Sequence, residues 1–331
     1  MKNFLVWKNK YSNKATKFTN KIWLNSYKKK NFTTLWKKEH FKWREKCQKR
    51  NLYTLSYINN DLSVLSCRIE IPFQKKDLIL KTANFCWMTS DPKKNKFLNT
   101  YHFYNNELKK EKENGFDFII FSSQENITAP YWERFFKRIP FQCQLLSPYK
   151  SLIFIFPEIK EFRYRKSFDL NISELHSSFE FEDIKKLIKS EYMSGYWNLA
   201  YSQERWKNEL RPSKISGTSI GKIRNEIACL ANYYYYDYNI NEELKKGAFL
   251  RFLFVNKLSI KHKIEFIQYL LDKFMREGND IVNISTFSLT DEYALEKSGF
   301  LLTNENYRIY AINLSERFNA NDIKMGLLDL F

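Results

Sequence analysis

Between Asn84 and Arg138 the hydrophobic positions change period twice. Leu98, Tyr101, Tyr104 and Leu108 recur at roughly the three-to-four spacing of one buried helix face. Gly115 stops that helix, where a left-handed C-cap costs least. The apolar run 116–121 then predicts a short strand, and Tyr131, Trp132 and Phe135 predict a second short helix. The same order returns near the C-terminus. Ile264, Ile267, Leu271 and Phe274 share a helix face, Gly278 stops it, 281–285 reads as a strand, and a short helix runs through Tyr293 and Leu295 to Gly299-Phe300. Two copies of helix, glycine, strand, helix predict a duplicated α/β unit.

The stretches around these copies fill in two halves. Residues 1–50 are basic and aromatic and read as an arm followed by a helix in TLWKKEHFKWREKCQ. Strand patterns follow at 52–57, 62–71, 78–88 and, beyond the first copy, 152–156. Pro157 and the polar run to Phe168 mark the expected boundary. Helices near 181–190 and 204–210, then strands at 223–236 and 249–255, precede the second copy. The expected class is α+β, two tandem halves (1–160 and 161–331), each a mostly antiparallel mixed sheet flanked by helices.

The order of several short matches, from about Tyr27 onward, resembles the glycylpeptide N-myristoyltransferases. They are Asn84-Phe85-Cys86, a basic turn about ten residues later, NDIVNIS, ALEKSGF with Tyr307 and Tyr310 beyond, and the ending KMGLLDLF. The helix, strand, helix unit looks like the C-terminal half of the GNAT acyltransferase fold. The resemblance implies a tandem of two such folds that moves a fatty acyl group from acyl-CoA to the N-terminal glycine amine of a peptide. Acyl-CoA would be a co-substrate, with no prosthetic group. The first half would hold it, and the second would form most of the peptide groove.

Composition narrows the partners. With 44% hydrophobic and 18% aromatic residues in a chain of 331, long disorder is not expected. No apolar run is long enough to span a bilayer, so at most a weak membrane-surface contact is expected. The N-terminus lacks a signal-peptide core, and Cys47, Cys67, Cys86, Cys143 and Cys229 form no CxxC pair. Reduced thiols in a cytoplasmic monomer without a metal site fit this best. The net charge of +18 fits an anionic cofactor, a nucleic acid or a membrane, and equally a compositional drift toward lysine. The run Tyr233–Tyr236 lacks the interleaved cations of a base-stacking platform, and no nucleic-acid partner is expected.

The resemblance implies roles for particular residues. Backbone amides at Phe85 and Cys86 would form the oxyanion hole; an ordinary central strand carries the same letters. Lys93, Lys94 and Lys96 sit at the start of a helix whose first amides favour a phosphate, or else they form a solvated turn. No glycine occurs from Asp91 to Tyr101, unlike the turns of ordinary acetyltransferases. Trp7, Asn84 and Phe97 complete the expected acyl-CoA contacts. Tyr27, Ser122, Tyr234 and Asn283 are the expected peptide contacts. The main-chain carboxylate of Phe331 is the expected general base, the alternative being a tail packed for stability.

Three positions depart from the family pattern. Lys28, Lys29 and Lys30 stand where the family has an acidic peptide-contact loop. Its strand aspartate falls near Ser285 or Thr286, with Asp291 the nearest acid, and its histidine falls on Leu258. A changed peptide preference is expected. A GNAT enzyme of another specificity and a silent acyl-CoA-binding relic are the rival readings.

Overall fold

The computed structural model describes residues 4–8, 11–27, 32–47, 53–94, 97–125, 128–157, 166, 169–176, 181–192, 194–285 and 291–315. They fall into two compact units. The first comprises the described residues up to Tyr149, Gly195–Tyr201, and those from Asn306 on; the second comprises the described residues of Lys150–Ser194 and Ser202–Glu305. None of the described helices is long and apolar enough to cross a membrane.

The first unit opens with β1 (Phe4–Lys8), α1 (Ser12–Tyr27), β2 (Phe32–Leu35) and α2 (Lys38–Cys47). A meander follows, β3 (Tyr53–Ile58), β4 (Asp61–Lys75) and β5 (Leu78–Ser90), then α3 (Phe97–Glu113), β6 (Phe118–Gln124) and α4 (Ala129–Phe136). The Asn59-Asn60 turn closing β3 on β4 has both residues at positive φ, 50° and 66°, the geometry that matches strand twist in a two-residue hairpin. Antiparallel pairing joins β1, β3, β4 and β5 in that order, and β6 then adds to β5 in parallel.

β7 (Cys143–Ile155) leads toward the second unit, which holds β8 (Asn171–Glu174) and α5 (Phe181–Ser190). The short β9 (Asn198–Leu199) returns to pair with β4 in the first unit. Next come α6 (Gln203–Leu210), the meander β10 (Ser216–Ile223), β11 (Glu226–Ile240) and β12 (Glu243–Phe254), then α7 (Ile260–Arg276), β13 (Ile281–Ser285), α8 (Glu292–Lys297) and β14 (Leu301–Asn313). β13 pairs in parallel with β12, as β6 does with β5.

The duplication extends to single hydrogen bonds. Gly115 and Gly278 end α3 and α7 at φ of 75° and 77°. Each makes the paired bonds of a Schellman cap: Gly115 to Lys112 and Phe116 to Glu111, Gly278 to Met275 and Asn279 to Phe274. Two residues on, Asp117 accepts the Lys81 amide on its carboxylate at 2.9 Å and donates its own amide to the Lys81 carbonyl at 2.7 Å. Asp280 does the same with Lys246, at 2.9 and 2.8 Å.

The last strand of each unit comes from the other half of the chain. Tyr307–Asn313 of β14 lies antiparallel on β6, and Ser151–Ile155 of β7 lies antiparallel on β13. The amides of Leu314 and Phe156 then reach the carbonyls of Asp117 and Asp280. Each unit thus combines a meander and helices from one stretch of the chain with a closing strand from a distant one.

Between α3 and β4 the first unit buries charge. Arg68 pairs with the fully buried Glu111, one helical turn beyond the fully buried Glu107. Burial pushes the Glu107 carboxyl up to about 7, with Thr54, Arg68 and Ser66 pulling it back only in part. The folded protein therefore keeps a proton that the unfolded chain releases near 4.5. Stability contributed by this site is highest below 4.5, falls as pH rises, and levels off above about 7. Glu107→Gln lacks this dependence. In denaturant melts its stability relative to wild type is expected to rise across that window, by at most about 3 kcal/mol; a constant difference would show that Glu107 does not titrate there.

Candidate functional site

The site begins where β5 parts from β6. Their ladder pairs Thr82, Ala83 and Asn84 with Phe118, Ile119 and Ile120, and stops there. On its other edge β5 keeps Phe85 opposite Arg68 and Cys86 opposite Cys67, then slips so that Thr89 faces Leu65. Trp87 sits in this β-bulge at a φ of 50°, costly for so large a residue. Its ring is held by Phe41 at 4.1 Å and Trp36 at 4.7 Å between centroids. A bulge re-aims the backbone groups around it.

Past the bulge lies a cavity of about 580 Å³ within the first unit. Met88, Thr89 and Ser90 of β5 form one wall, and Ile22 and Trp23 of α1 another. The Trp23 indole donates to the Thr89 hydroxyl at 3.0 Å, which joins α1 to the strand. Phe97, Thr100 and Tyr104 come from the first two turns of α3, and Tyr131 and Trp132 from α4. Phe97 meets Tyr131 edge-on at 5.3 Å, and Ser90 and Thr100 share a hydrogen bond of 3.2 Å. Burial raises the Tyr131 pKa, so its hydroxyl remains protonated at neutral pH.

Two arginines, Arg134 and Arg138, also line it, and among the described residues no acidic one does. The Arg138 guanidinium lies over the Phe97 ring at 4.9 Å, and its carbonyl accepts the Tyr101 hydroxyl at 2.7 Å. Neither arginine is in a salt bridge among the described residues. An aromatic cavity with two cations and the first turns of a helix at its wall suits an elongated ligand with an anionic end.

The sequence-predicted residues divide. Phe97 lines the cavity. Asn84 and Phe85 are buried in the sheet, and Cys86 is half-buried one residue before the bulge. Lys93 is exposed after an aspartate turn in which its amide donates to Asp91 at 2.9 Å. Lys94 pairs with Asp61 at 2.7 Å. The backbones of Trp7 and Tyr27 lie in β1 and α1. Their side chains, and Lys28, Lys29, Lys30, Lys96 and Phe331, are outside the described residues. Ser122 is half-buried on β6, opposite Ile309.

In the second unit Tyr234 is 2% exposed and lies under the Arg251 guanidinium, while Asn283 accepts the Tyr238 hydroxyl at 2.7 Å. Asp291 caps α8 through the Ala294 amide and pairs with Lys263 at 2.6 Å. Partial burial opposes ionisation there, but these two contacts win and lower its pKa, which makes it a weak base. Sequence reading missed Trp87, Thr100, Arg134 and Arg138. Trp87 is marked only by its place in the bulge, and Thr100, Arg134 and Arg138 only by their placement around one cavity.

No protein-family model matches the sequence, and no curated protein is found similar to it. Solved structures do match. A Saccharomyces cerevisiae N-myristoyltransferase with bound myristoyl-CoA superposes at a TM-score of 0.75 and 8% identity, over 98% of this chain and 89% of that one. Another structure of the yeast enzyme with bound myristoyl-CoA gives 0.74 at 10% identity, over 95% and 79%. A GCN5-related N-acetyltransferase from Anabaena variabilis gives 0.57 at 8%, over 95% and 73%. The chain thus has the fold of the N-myristoyltransferase structures, a mixed α+β architecture of GNAT type at very low sequence identity.

Proposed function

We propose that the chain transfers a fatty acyl group from acyl-CoA to an amine, with the N-terminal glycine of a peptide as acceptor. The observation that carries this reading is the cavity of about 580 Å³ beside the β5 bulge, walled by aromatics and supplied with two arginines and, among the described residues, no acid. The likeness of fold to structures that contain myristoyl-CoA supports the choice of carrier.

In this reading the carrier phosphates lie between the start of α3, with Lys93, and two arginines, Arg134 on α4 and Arg138 just beyond its end. Helix amides and guanidinium groups together favour a phosphate. The acyl-thioester end reaches the bulge, where backbone amides around Phe85 and Cys86 stabilise the oxyanion of the tetrahedral intermediate. The amine attacks the carbonyl carbon, the C–S bond breaks, and the thiolate of coenzyme A leaves with a proton. The first unit binds the carrier, and the second supplies most of the peptide groove.

Titration of the full chain with myristoyl-CoA, acetyl-CoA and free coenzyme A tests the carrier. Saturable binding is expected, tightest for myristoyl-CoA. Arg134→Ala and Arg138→Ala are each expected to weaken it on the order of tenfold, the scale of one charge-assisted contact. Lys93→Ala measures the share held by the turn. A folded protein that binds none of the three ends the reading.

The acceptor is tested with myristoyl-CoA and glycine-initiated peptides that differ only in Lys or Glu near the N-terminus. Amide product is expected from free glycine peptides and none from N-acetylated ones. With Lys28, Lys29 and Lys30 in place of an acidic loop, the Glu peptides should react at least as well as the Lys peptides. Strong preference for Lys would overturn that assignment.

A further inference from the structure

Among the four described cysteine side chains, two meet across strands. Cys67 of β4 and Cys86 of β5 are direct antiparallel partners. Side chains at such positions leave the sheet on the same face, with Cα atoms about 4.5–5.5 Å apart. That span lies within the range of about 4.4–6.8 Å bridged by disulfides. Burial first, and the neighbouring Cys86 second, hold the Cys67 thiol well above its ordinary pKa.

Cys67 is fully buried, whereas Cys86 is half-buried and reachable by a small oxidant. The other described cysteines lie elsewhere, Cys143 on β7 and Cys229 on β11. Cys86 also directly precedes Trp87, the residue at the bulge.

We propose that Cys67 and Cys86 are a redox-modification site that closes into a reversible cross-strand disulfide in the presence of a peroxide. The Cys86 sulfur attacks the peroxide O–O bond, giving a sulfenic acid and releasing hydroxide, which takes up the Cys86 proton as water. The Cys67 sulfur then attacks the Cys86 sulfur. The S–S bond forms, the S–O bond breaks, and the departing hydroxide leaves with the Cys67 proton as a second water. Two thiols are oxidised and one peroxide is reduced. A dithiol reductant reverses the change by exchange.

The bond alters the site. Register partners hold their Cβ atoms about 4.5–5.5 Å apart, while a disulfide brings them to about 3.8 Å. β4 and β5 must therefore approach by about an ångström at the bulge. A displacement of that size at a reacting centre costs on the order of 10²-fold in rate. The consequence for acyl transfer rests on the proposed function; formation of the bond does not.

The test is peptide mass mapping of the full chain after treatment with a small excess of hydrogen peroxide. The expected product links the Cys67 and Cys86 peptides with loss of two hydrogens, and dithiothreitol separates them. In Cys67→Ser the link is expected to vanish while Cys86 carries added oxygen. Cys86 oxidised but never linked to Cys67, or linked instead to Cys47 or Cys143, overturns the proposal. Acyl transfer by the oxidised wild type is expected to fall about 100-fold and return on reduction, with Cys67→Ser losing no such reversible component. A disulfide that leaves transfer unchanged overturns its effect on the site. A chain that transfers no acyl group even when reduced counts against the proposed function, and the peptide map still decides the modification.

Discussion

Each unit depends on one aspartate that braces a parallel strand pair. Asp117 and Asp280 each take one backbone amide of the neighbouring strand on the carboxylate and return their own amide to the same residue. Each carbonyl also receives the end of the closing strand. The parallel register is thereby set at its first residue. In the first unit, pairing then lasts only from Thr82 to Asn84. Where that ladder ends determines where β5 is released from β6, and the bulge and the cavity follow from it.

Duplication supplied two such frames, and side chains made them different. In the second unit β12 slips against β11 so that Tyr233 faces Leu250 and Asn232 faces Phe252, placing Arg251 in the bulge. Its guanidinium is pinned to the buried Glu209 at 2.7 Å and packs over Phe252. In the first unit the bulge residue is Trp87, locked among aromatic rings on the α2 side, and cavity-lining residues follow it directly on β5. An arginine held by a buried carboxylate resists displacement, because separating the pair would strand a charge. One extra residue in the corresponding strand thus serves packing in one unit and borders open space in the other.

The net charge of +18 acquires meaning only locally. Lys94, Lys185, Lys245 and Arg308 are engaged with carboxylates at the surface, where such pairs contribute little. Arg134 and Arg138 border the cavity without such a partner among the described residues. Both side chains are exposed at the edge of the cavity, so their pull on an anionic ligand is screened by water and salt.

The sequence by itself determined what short-range chemistry controls. The two helix, glycine, strand, helix copies were legible because a helix face and a left-handed C-cap need only residues a few positions apart. The observed caps at Gly115 and Gly278, the helix at Phe181–Ser190 and the strand at Ile281–Ser285 agree with that reading. α1 was missed because its buried face, Ser12, Ala15, Thr19 and Ile22, is half hydroxylated. β10 was missed as a separate strand because its hairpin turns on Arg224-Asn225, with no glycine to mark it. Only tertiary structure decided the exchange of closing strands, the register that sets Cys67 against Cys86, and the meeting of Arg138 with Phe97 at the start of α3. Each joins residues far apart in the chain, and nothing in the local pattern around either partner specifies the other.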